Sequence, residues 1–254
     1  MRKRAGDFFF NELDHHINNT LKVLMMRKIV LICLFVILGV SGISTSTAAA
    51  HPEDRQDIHS RDFRPEWFVQ VLGGAAYSLG EADFVRLLSP AAQASAGCRF
   101  SRLFGARVAF SGWQARNRYN YPRFDYSWNY ARSSAEIVLD VTSVLAGWRE
   151  GRLVSLNLFA GGGAAVGFRN LDANRARRNN PDFQGLEKLW TGTKFFWAGR
   201  GGLELDLRLA RSLSICLEAD AGIFPDDFNS KVGKDDGFDW QFNCLVGLKF
   251  ALGR

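Results

Sequence analysis

Four carboxylates, set two residues apart in two nearby segments, are best suited to acid–base chemistry in this sequence. The two pairs are Glu204 with Asp206 and Glu218 with Asp220. Paired carboxylates can divide the roles of general acid and general base between them. Arg200 and Arg208 flank the first pair, however, and carboxylates beside guanidinium groups are held as ion pairs. We therefore favour a structural role for these acids over a catalytic one.

Other catalytic and metal-binding patterns are missing from the sequence. The four histidines are His15, His16, His51 and His59. All of them precede the first predicted strand, so no Ser-His-Asp arrangement can form among the strands and loops that follow. The cysteines contain no CxxC pair, and Gly161–Gly163 lie in an apolar strand-like segment rather than in a phosphate-binding motif. We predict a non-enzymatic protein with no catalytic residues, no cofactor and no metal.

The net charge of +6 does not indicate a nucleic-acid partner. Residues 1–50 contain six of the 32 Lys and Arg residues and three of the 26 Asp and Glu residues. The remaining 204 residues therefore carry 26 basic against 23 acidic side chains, a small excess spread along the chain. A nucleic-acid-binding surface would need a larger and more concentrated positive charge.

The N-terminal residues have the organisation of a cleaved signal peptide. Met25–Lys28 supply a basic start, Ile29–Val40 form a twelve-residue apolar run, and Ala48–Ala50 offer small residues for cleavage before His51. The alternative is a membrane anchor, but the run is shorter than the ~20 residues that a spanning helix needs. We predict an upstream extension (1–24), a signal peptide (25–50), a periplasmic N-terminal segment (51–65) and a barrel domain (66–254).

Eight segments after residue 65 alternate apolar and polar residues with a period of two, the pattern of strands with two different faces. The alternation is clearest where Leu203, Leu205 and Leu207 flank Glu204 and Asp206. The predicted strands are 66–79, 91–100, 105–116, 134–145, 153–168, a sixth that includes 202–209, 213–221 and 238–252. Each is about ten residues or longer, enough to cross a bilayer at a tilt.

The connections between these strands alternate in length. Short turns are expected near 101–104, 146–152 and 210–212, and long loops near 80–90, 117–133, 169–193 and 225–236. An even number of strands joined by alternating short turns and long loops is typical of outer-membrane barrels. The fold class predicted is therefore all-β: a closed eight-stranded antiparallel up-and-down transmembrane β-barrel.

The polar faces of the strands carry charges of both signs, which suits a barrel interior. The predicted lumen charge network is Arg99, Arg107, Glu136, Asp140, Arg200, Glu204, Asp206, Arg208, Glu218, Asp220, Asp239 and Lys249. Inside a narrow barrel these groups can pair with one another, while the Leu, Val, Ile and Phe side chains face lipid. A soluble lipocalin-like carrier is the alternative, although this polar face has few of the scattered lysines expected on a soluble surface.

The chain resembles the small outer-membrane β-barrels of the OmpA transmembrane-domain and OmpX type. The residues that carry the resemblance are the signal peptide, the eight strands, the mixed-charge face and segments such as Leu153–Phe168, which are similar to the Bacteroidota members. The resemblance covers about residues 66–252 and implies residence in the outer membrane, contact with outer-membrane lipid and lipopolysaccharide, and delivery by the barrel insertion machinery. We expect a monomer, without the peptidoglycan-binding domain of longer OmpA proteins.

Two predicted loops contain candidate surface contacts. The candidates are Tyr119, Tyr121, Tyr126 and Trp128 in the second long loop and Arg175, Arg177 and Arg178 in the third. Dense aromatic residues suit contacts with sugars or proteins, and arginines can bind the phosphates of lipopolysaccharide. For the aromatic segment we favour the alternative of a hairpin that extends above the membrane with an interfacial girdle, and for the arginines a solvated loop is an equal alternative. The sequence thus favours a structural, surface-interaction or narrow-pore role. A barrel enzyme that modifies lipids or peptides remains an alternative.

Overall fold

Eight antiparallel strands pair in sequence order, and β1 closes the sheet by pairing with β8. The computed structural model describes residues 63–79, 84–120, 123–179, 189–230 and 237–252. The strands are β1 (Glu66–Ser78), β2 (Leu88–Arg99), β3 (Phe104–Asn120), β4 (Arg123–Asp140), β5 (Val154–Phe168), β6 (Lys194–Arg208), β7 (Leu213–Pro225) and β8 (Phe238–Leu252). The predicted fold class is confirmed. The predicted signal peptide and residues 51–62 lie outside the described residues.

Three short helices lie in the connections of the described chain. They are α1 (Phe84–Leu87), α2 (Val141–Ala146) and α3 (Leu171–Asn179). Within the described ranges, no helix is both long and apolar enough to cross a membrane. Residues 100–103 and 209–212 connect strands at one end of the barrel, which also holds α2 and is called the short-turn end. The opposite end, which holds α1 and α3, is called the long-loop end.

The connection at 117–133 is the extended hairpin that the sequence favours as the alternative, and the prediction of a long loop there is wrong. β3 runs on to Asn120 and β4 begins at Arg123, so the two strands stay paired almost to the hairpin tip. The polar residues between the aromatics resembled a loop in the sequence, but cross-strand pairing stabilises an extended hairpin there. Several other strand ends differ from the prediction. The second strand starts at Leu88 instead of 91, and the fourth ends at Asp140 instead of 145, because α2 begins at Val141.

The two faces of the sheet follow the predicted alternation over most of their length. Along β8, Asp239, Gln241 and Asn243 are buried, whereas Phe238 and Trp240 are exposed. Leu205 departs from the expected lipid exposure. Leu205 lies between the buried residues Glu204 and Asp206, so the alternation places it on the outer face. Only 6% of its surface is exposed, however, against 38% for Leu203. Its register partners Leu156 and Leu217 flank it in a leucine-rich part of the outer surface.

Exposed aromatic residues cluster near both ends of the barrel. Those toward the short-turn end are Trp67, Phe100, Phe104 and Phe250, and those toward the long-loop end are Trp113, Phe195, Trp197, Phe238 and Trp240. On β8 the two groups are separated by about ten residues, or roughly 25 Å along the barrel axis for strands tilted by about 40°. This spacing matches the apolar band of a membrane-spanning barrel.

The outward face predicts how the barrel tolerates charge. Leu203→Arg places a cation near the middle of the apolar band and is expected to lower the free energy of unfolding in lipid by about 2–4 kcal/mol. Ser155→Arg is the control, because Ser155 lines a polar opening at the short-turn end. Urea titrations of barrels refolded into vesicles measure both. Equal losses for the two variants would contradict the assigned faces.

Candidate functional site

A buried network of ion pairs crosses the middle of the barrel, and Arg107 of β3 is its first centre. Its guanidinium group donates from Nε to Glu136 Oε2 at 2.6 Å, from Nη1 to Glu204 Oε2 at 2.6 Å and from Nη2 to Glu218 Oε2 at 2.9 Å. The three carboxylates belong to β4, β6 and β7. One side chain therefore ties its own strand to three others through the lumen.

Arg200 of β6 is the second centre. It binds Asp220 in a bidentate manner, with Nε and Nη2 each 3.0 Å from a carboxylate oxygen. Its Nη1 donates to Glu136 Oε1 at 2.9 Å, and Nη2 also donates to Glu218. Glu136 and Glu218 are thus shared between the two arginines, which joins both centres into one network.

Lys249 of β8 extends the network toward the short-turn end. Its ammonium group lies between Asp206, at 2.5 Å from Oδ2, and Glu204. The second oxygen of Asp206 accepts a hydrogen bond from the Cys216 thiol at 2.8 Å. Glu204 therefore contacts both Lys249 and Arg107, so the chain of charges continues without a break.

Phe159 of β5 packs between the two arginine centres. Its ring centroid lies 4.2 Å from the guanidinium carbon of Arg107 and 4.9 Å from that of Arg200. A planar cation over an aromatic face is stabilised by the ring's quadrupole, most strongly where water is excluded. The Phe159 ring therefore supports both guanidinium groups instead of interrupting the network.

Gly161 allows close approach of β4 beside Glu136, since an added Cβ atom would lie 2.0 Å from the backbone oxygen of Ala135. In the paired register Gly161 stands between Glu136 and Arg200, on the strand that separates them. A Cβ atom added there would lie 2.7 Å from Glu136 Cα and 2.8 Å from its Cγ, well inside van der Waals contact. The triple glycine of β5 is thus explained in part by close packing of the β5 and β4 backbones at Gly161.

Amide and hydroxyl side chains occupy the remaining polar positions around the ions. Gln70 donates to Glu204 at 2.7 Å and accepts from Arg107 at 3.1 Å, and Ser134 donates to Glu136 at 2.6 Å. Asn157 donates to Asp206 at 3.0 Å, and Asn243 donates to Asp220 at 2.8 Å. Buried charges are tolerated when such donors and acceptors complete their hydrogen bonding.

Arg132 is a buried cation that the sequence interpretation missed. Its Nε donates to Ser111 at 3.1 Å, and Nη2 lies 3.7 Å from Asp220. A Cβ atom at Gly222 would lie 2.5 Å from Nη1, so a glycine faces this guanidinium group as well. Arg132 was overlooked because it falls in the segment taken for a loop. It has the same strand parity as Glu136 and Ser134, and that alternation was a usable signal.

Eight of the twelve residues predicted for the lumen network meet in one cluster. They are Arg107, Glu136, Arg200, Glu204, Asp206, Glu218, Asp220 and Lys249. The other four lie elsewhere. Arg99 pairs with Asp140 at 3.3 Å near the short-turn end. Arg208 donates to the carbonyl groups of Ala210 and Arg211, and Asp239 accepts from Asn229 near the long-loop end.

An aromatic cap fills the barrel at the long-loop end. The rings are Tyr126, Trp128, Tyr130, Trp190, Phe196, Phe224 and Phe228. Phe228 is their centre: it stacks on Phe224 at 4.1 Å and meets Phe196 edge-on at 5.4 Å. The loop that carries Phe228 is tied to the wall, since Tyr126 donates to Asn229 O at 2.7 Å and Trp190 donates to Phe228 O at 3.3 Å.

Two of the predicted surface contacts are wrong, because their side chains lie in the aromatic cap. Tyr126 and Trp128 were expected to contact external molecules, but both are buried within the cap. The reason is the extension of β4, whose inward parity turns these rings into the barrel. Tyr119 is half-buried and stacks on Phe124 at 5.5 Å. Tyr121 lies outside the described residues. Arg175 and Arg178 are exposed on α3, and the Arg177 side chain is not among those described.

The short-turn end opens into a vestibule of about 100 Å³ that is lined mainly by polar and charged side chains. Lys249, Glu204, Asp206 and Asn157 line the part that adjoins the charge network. Each of the two carboxylates already binds the Lys249 ammonium group. In the part of the chain that the structure describes, no group of three or more His, Cys, Asp or Glu side chains could hold a metal ion.

This arrangement suits rigid support better than proton transfer. Every carboxylate of the central network lies within an ion pair, and Glu136 and Glu218 each bind two arginines. A general acid or base must reach the substrate with a free oxygen. The carboxylate oxygens of the network instead bind cations on other strands. The geometry therefore closes and stiffens the barrel.

Comparisons relate the chain to known proteins. The chain matches no protein-family model. It is 25% identical over 240 residues to outer membrane protein 40 of Porphyromonas gingivalis, covering 92% of this chain and 58% of that protein.

Solved structures with a similar fold include Neisserial surface protein A, with 10% identity, a TM-score of 0.44 and coverage of 74% and 99% of the two chains. OprG of Pseudomonas aeruginosa has 8% identity, a TM-score of 0.44 and coverage of 74% and 97%. The chain, whose own strand pairing forms an eight-stranded closed barrel as the sequence predicted, is similar to these outer-membrane proteins.

Removing one arginine centre should destabilise the barrel. Arg200→Met is expected to lower the free energy of unfolding by about 3–5 kcal/mol, because it leaves buried carboxylates without their cation. Arg208→Met is the control, since Arg208 binds only turn carbonyl groups near the surface. Denaturant titration of vesicle-embedded protein measures the difference. A loss for Arg208→Met as large as that for Arg200→Met would contradict the network's role.

The two neighbouring glycines of β5 should respond differently to a methyl group. Gly161→Ala is expected to destabilise the barrel by about 1–3 kcal/mol, because the new Cβ overlaps Glu136 and forces the strand or the carboxylate to shift. Gly162→Ala faces outward, where the nearest atom to its Cβ is 3.5 Å away, and should have little effect. The same titration compares them. Equal stabilities would show that Gly161 is not needed for close packing.

Proposed function

We propose that this chain is an outer-membrane β-barrel protein that acts as a closed scaffold, without an enzymatic step and without an open pore. The observation that carries the proposal is the double closure of the lumen. The ion-pair network fills its middle, and the aromatic cap fills its long-loop end. An eight-stranded barrel encloses little more than its own side chains, and we infer that these two layers, formed by the described residues, close the lumen to a continuous water column.

The outer surface supports placement in a membrane. Large apolar side chains are exposed around the sheet, and aromatic residues mark two levels separated by roughly the thickness of a barrel's apolar band. Water would make such a surface aggregation-prone, whereas lipid matches it. The relative named an outer membrane protein supports the same location. Because this chain spans 58% of that protein's length, the activity and partners of the whole relative are not carried over.

The long-loop end is the surface available for contacts. In an outer-membrane barrel the long loops face outward and the short turns face the periplasm. We propose that the chain is monomeric, is inserted by the barrel insertion machinery and contacts lipopolysaccharide with its long-loop end. The exposed arginines of α3 suit the phosphate groups of that lipid.

Membrane residence and lumen closure require separate tests. Membrane fractionation together with heat-modifiable gel mobility should identify a folded outer-membrane barrel. Recovery in the soluble fraction would favour a lipocalin-like carrier instead. Planar-bilayer recordings of the purified protein should then show no stable conductance, with a sixteen-stranded porin as the positive control. Porin-scale current would refute the closed scaffold, and a small steady current would favour the narrow-pore role.

The lipopolysaccharide contact has its own test. The double variant Arg175→Glu and Arg178→Glu should weaken binding of lipopolysaccharide to the detergent-solubilised barrel, because it reverses two exposed charges opposite anionic phosphates. The double variant Arg64→Glu and Arg211→Glu is the matched control, since it reverses the same number of exposed charges at the short-turn end. Binding curves at two salt concentrations measure the effect. Equal weakening by both variants would contradict a specific contact at α3.

A further inference from the structure

The short-turn end carries an apolar projection that the barrel itself does not need. Val144 and Leu145 of α2 are 52% and 81% exposed, and Leu153, just before β5, is 72% exposed. These three side chains are called the α2 foot below. Turns at this end could be built from polar residues, as Arg211 and Ser212 show in the β6–β7 turn. The exposed apolar side chains therefore require a partner.

The α2 foot is held outward by specific bonds. Asp140 caps α2, its Oδ1 accepting from the Ser143 backbone N–H at 2.8 Å. Thr142 Oγ1 accepts from the Leu156 N–H at 2.6 Å, which fixes the helix to β5. Arg152 donates to the carbonyl oxygens of Thr142, at 3.3 Å, and of Gly147. With both ends of α2 fixed, its apolar face cannot simply fold back into the barrel.

The foot continues the apolar outer surface of the barrel. Ile137 and Leu139 have outward parity on β4, directly before Asp140 and α2. In the register Leu139 pairs with both Phe104 and Leu158, so apolar residues of three strands lie next to the start of the helix. The surface that meets hydrocarbon on the barrel wall therefore extends onto α2 without a polar break at this position.

Amphipathic and basic residues border the foot. Trp148 follows α2, with the Phe63 ring meeting it edge-on at 5.9 Å and the Arg102 guanidinium group 5.5 Å from its ring centroid. Arg149 is exposed beside it. Tryptophan and arginine next to an apolar helical face are the composition of segments that lie in the headgroup layer of a bilayer.

We propose that the α2 foot inserts into the phospholipid leaflet on the periplasmic side, with Arg102 and Arg149 facing anionic headgroups. The inference rests on the proposed membrane location. A phospholipid surface fits better than a protein, because three side chains form a patch far smaller than the roughly 800 Å² per partner of a stable protein interface. The positive border matches the negative charge of acidic phospholipids.

Site-directed spin labelling tests the depth of the foot. Labels are placed at Leu145→Cys, at Ile137→Cys on the barrel wall and at Glu150→Cys in the polar turn, with the native cysteines replaced by serine. The barrels are refolded into phosphatidylethanolamine vesicles containing phosphatidylglycerol. The ratio of collision rates with oxygen and with a polar nickel chelate at residue 145 should be at least about fivefold above that at residue 150, because hydrocarbon excludes the polar reagent. It should approach the ratio at residue 137.

The three possible results of the spin-label experiment have different consequences. A low ratio at 145 with a high ratio at 137 would overturn the foot and leave the membrane location standing. Low ratios at both positions would overturn the membrane location itself. Protection of 145 from both reagents would show that protein covers it, either a second copy or another partner, and would also overturn the lipid contact.

The headgroup contact is tested with a charge reversal. Arg149→Glu should lower the ratio at residue 145 about twofold in vesicles that contain phosphatidylglycerol, because a favourable charge becomes a repulsive one. In vesicles of neutral phosphatidylcholine the ratio should not change. The same result in both lipids would overturn the role of anionic headgroups.

Discussion

The structure depends on satisfying buried charge inside a closed sheet. Arg107 and Arg200 share Glu136 and Glu218, and Phe159 packs between their guanidinium groups. Breaking either centre leaves carboxylates in a dry interior, which costs far more than losing a surface ion pair. Because the partners come from different strands, the network also opposes separation of the barrel wall. The contacts that neutralise the buried charges are therefore also contacts that hold the strands together.

The interior is arranged in layers that differ in chemistry. A polar vestibule lies at the short-turn end, the ion-pair network lies in the middle, and the aromatic cap lies at the long-loop end. Phe228 packs among rings contributed by β4, β6 and β7, so a connecting loop becomes part of the core. Two closed layers in series favour a scaffold whose outer surface and loops make the functional contacts.

Small residues decide where the large charged side chains can lie. Gly161 stands between Glu136 and Arg200, and Gly222 faces Arg132. An extra Cβ atom would overlap the β4 backbone and Glu136 at Gly161, and the Arg132 guanidinium group at Gly222. At the short-turn end, by contrast, the exposed positions of α2 carry large apolar side chains that point away from the barrel. The packing inside and the proposed lipid contact outside are thus set by side-chain size at a few positions.

The sequence by itself determined the strand number, the inward and outward faces, and eight members of the charge network, because a period of two assigns each residue to one face. It also predicted that Glu204 and Asp206 form ion pairs, although their partners proved to be Lys249 for both acids and, for Glu204, Arg107 as well. Only the tertiary structure showed that Arg208 binds its own turn, that Tyr126 and Trp128 are buried, and that Arg132 joins the lumen. The alternation assigns a face but not a partner across the lumen, since barrel closure brings together residues more than 100 positions apart.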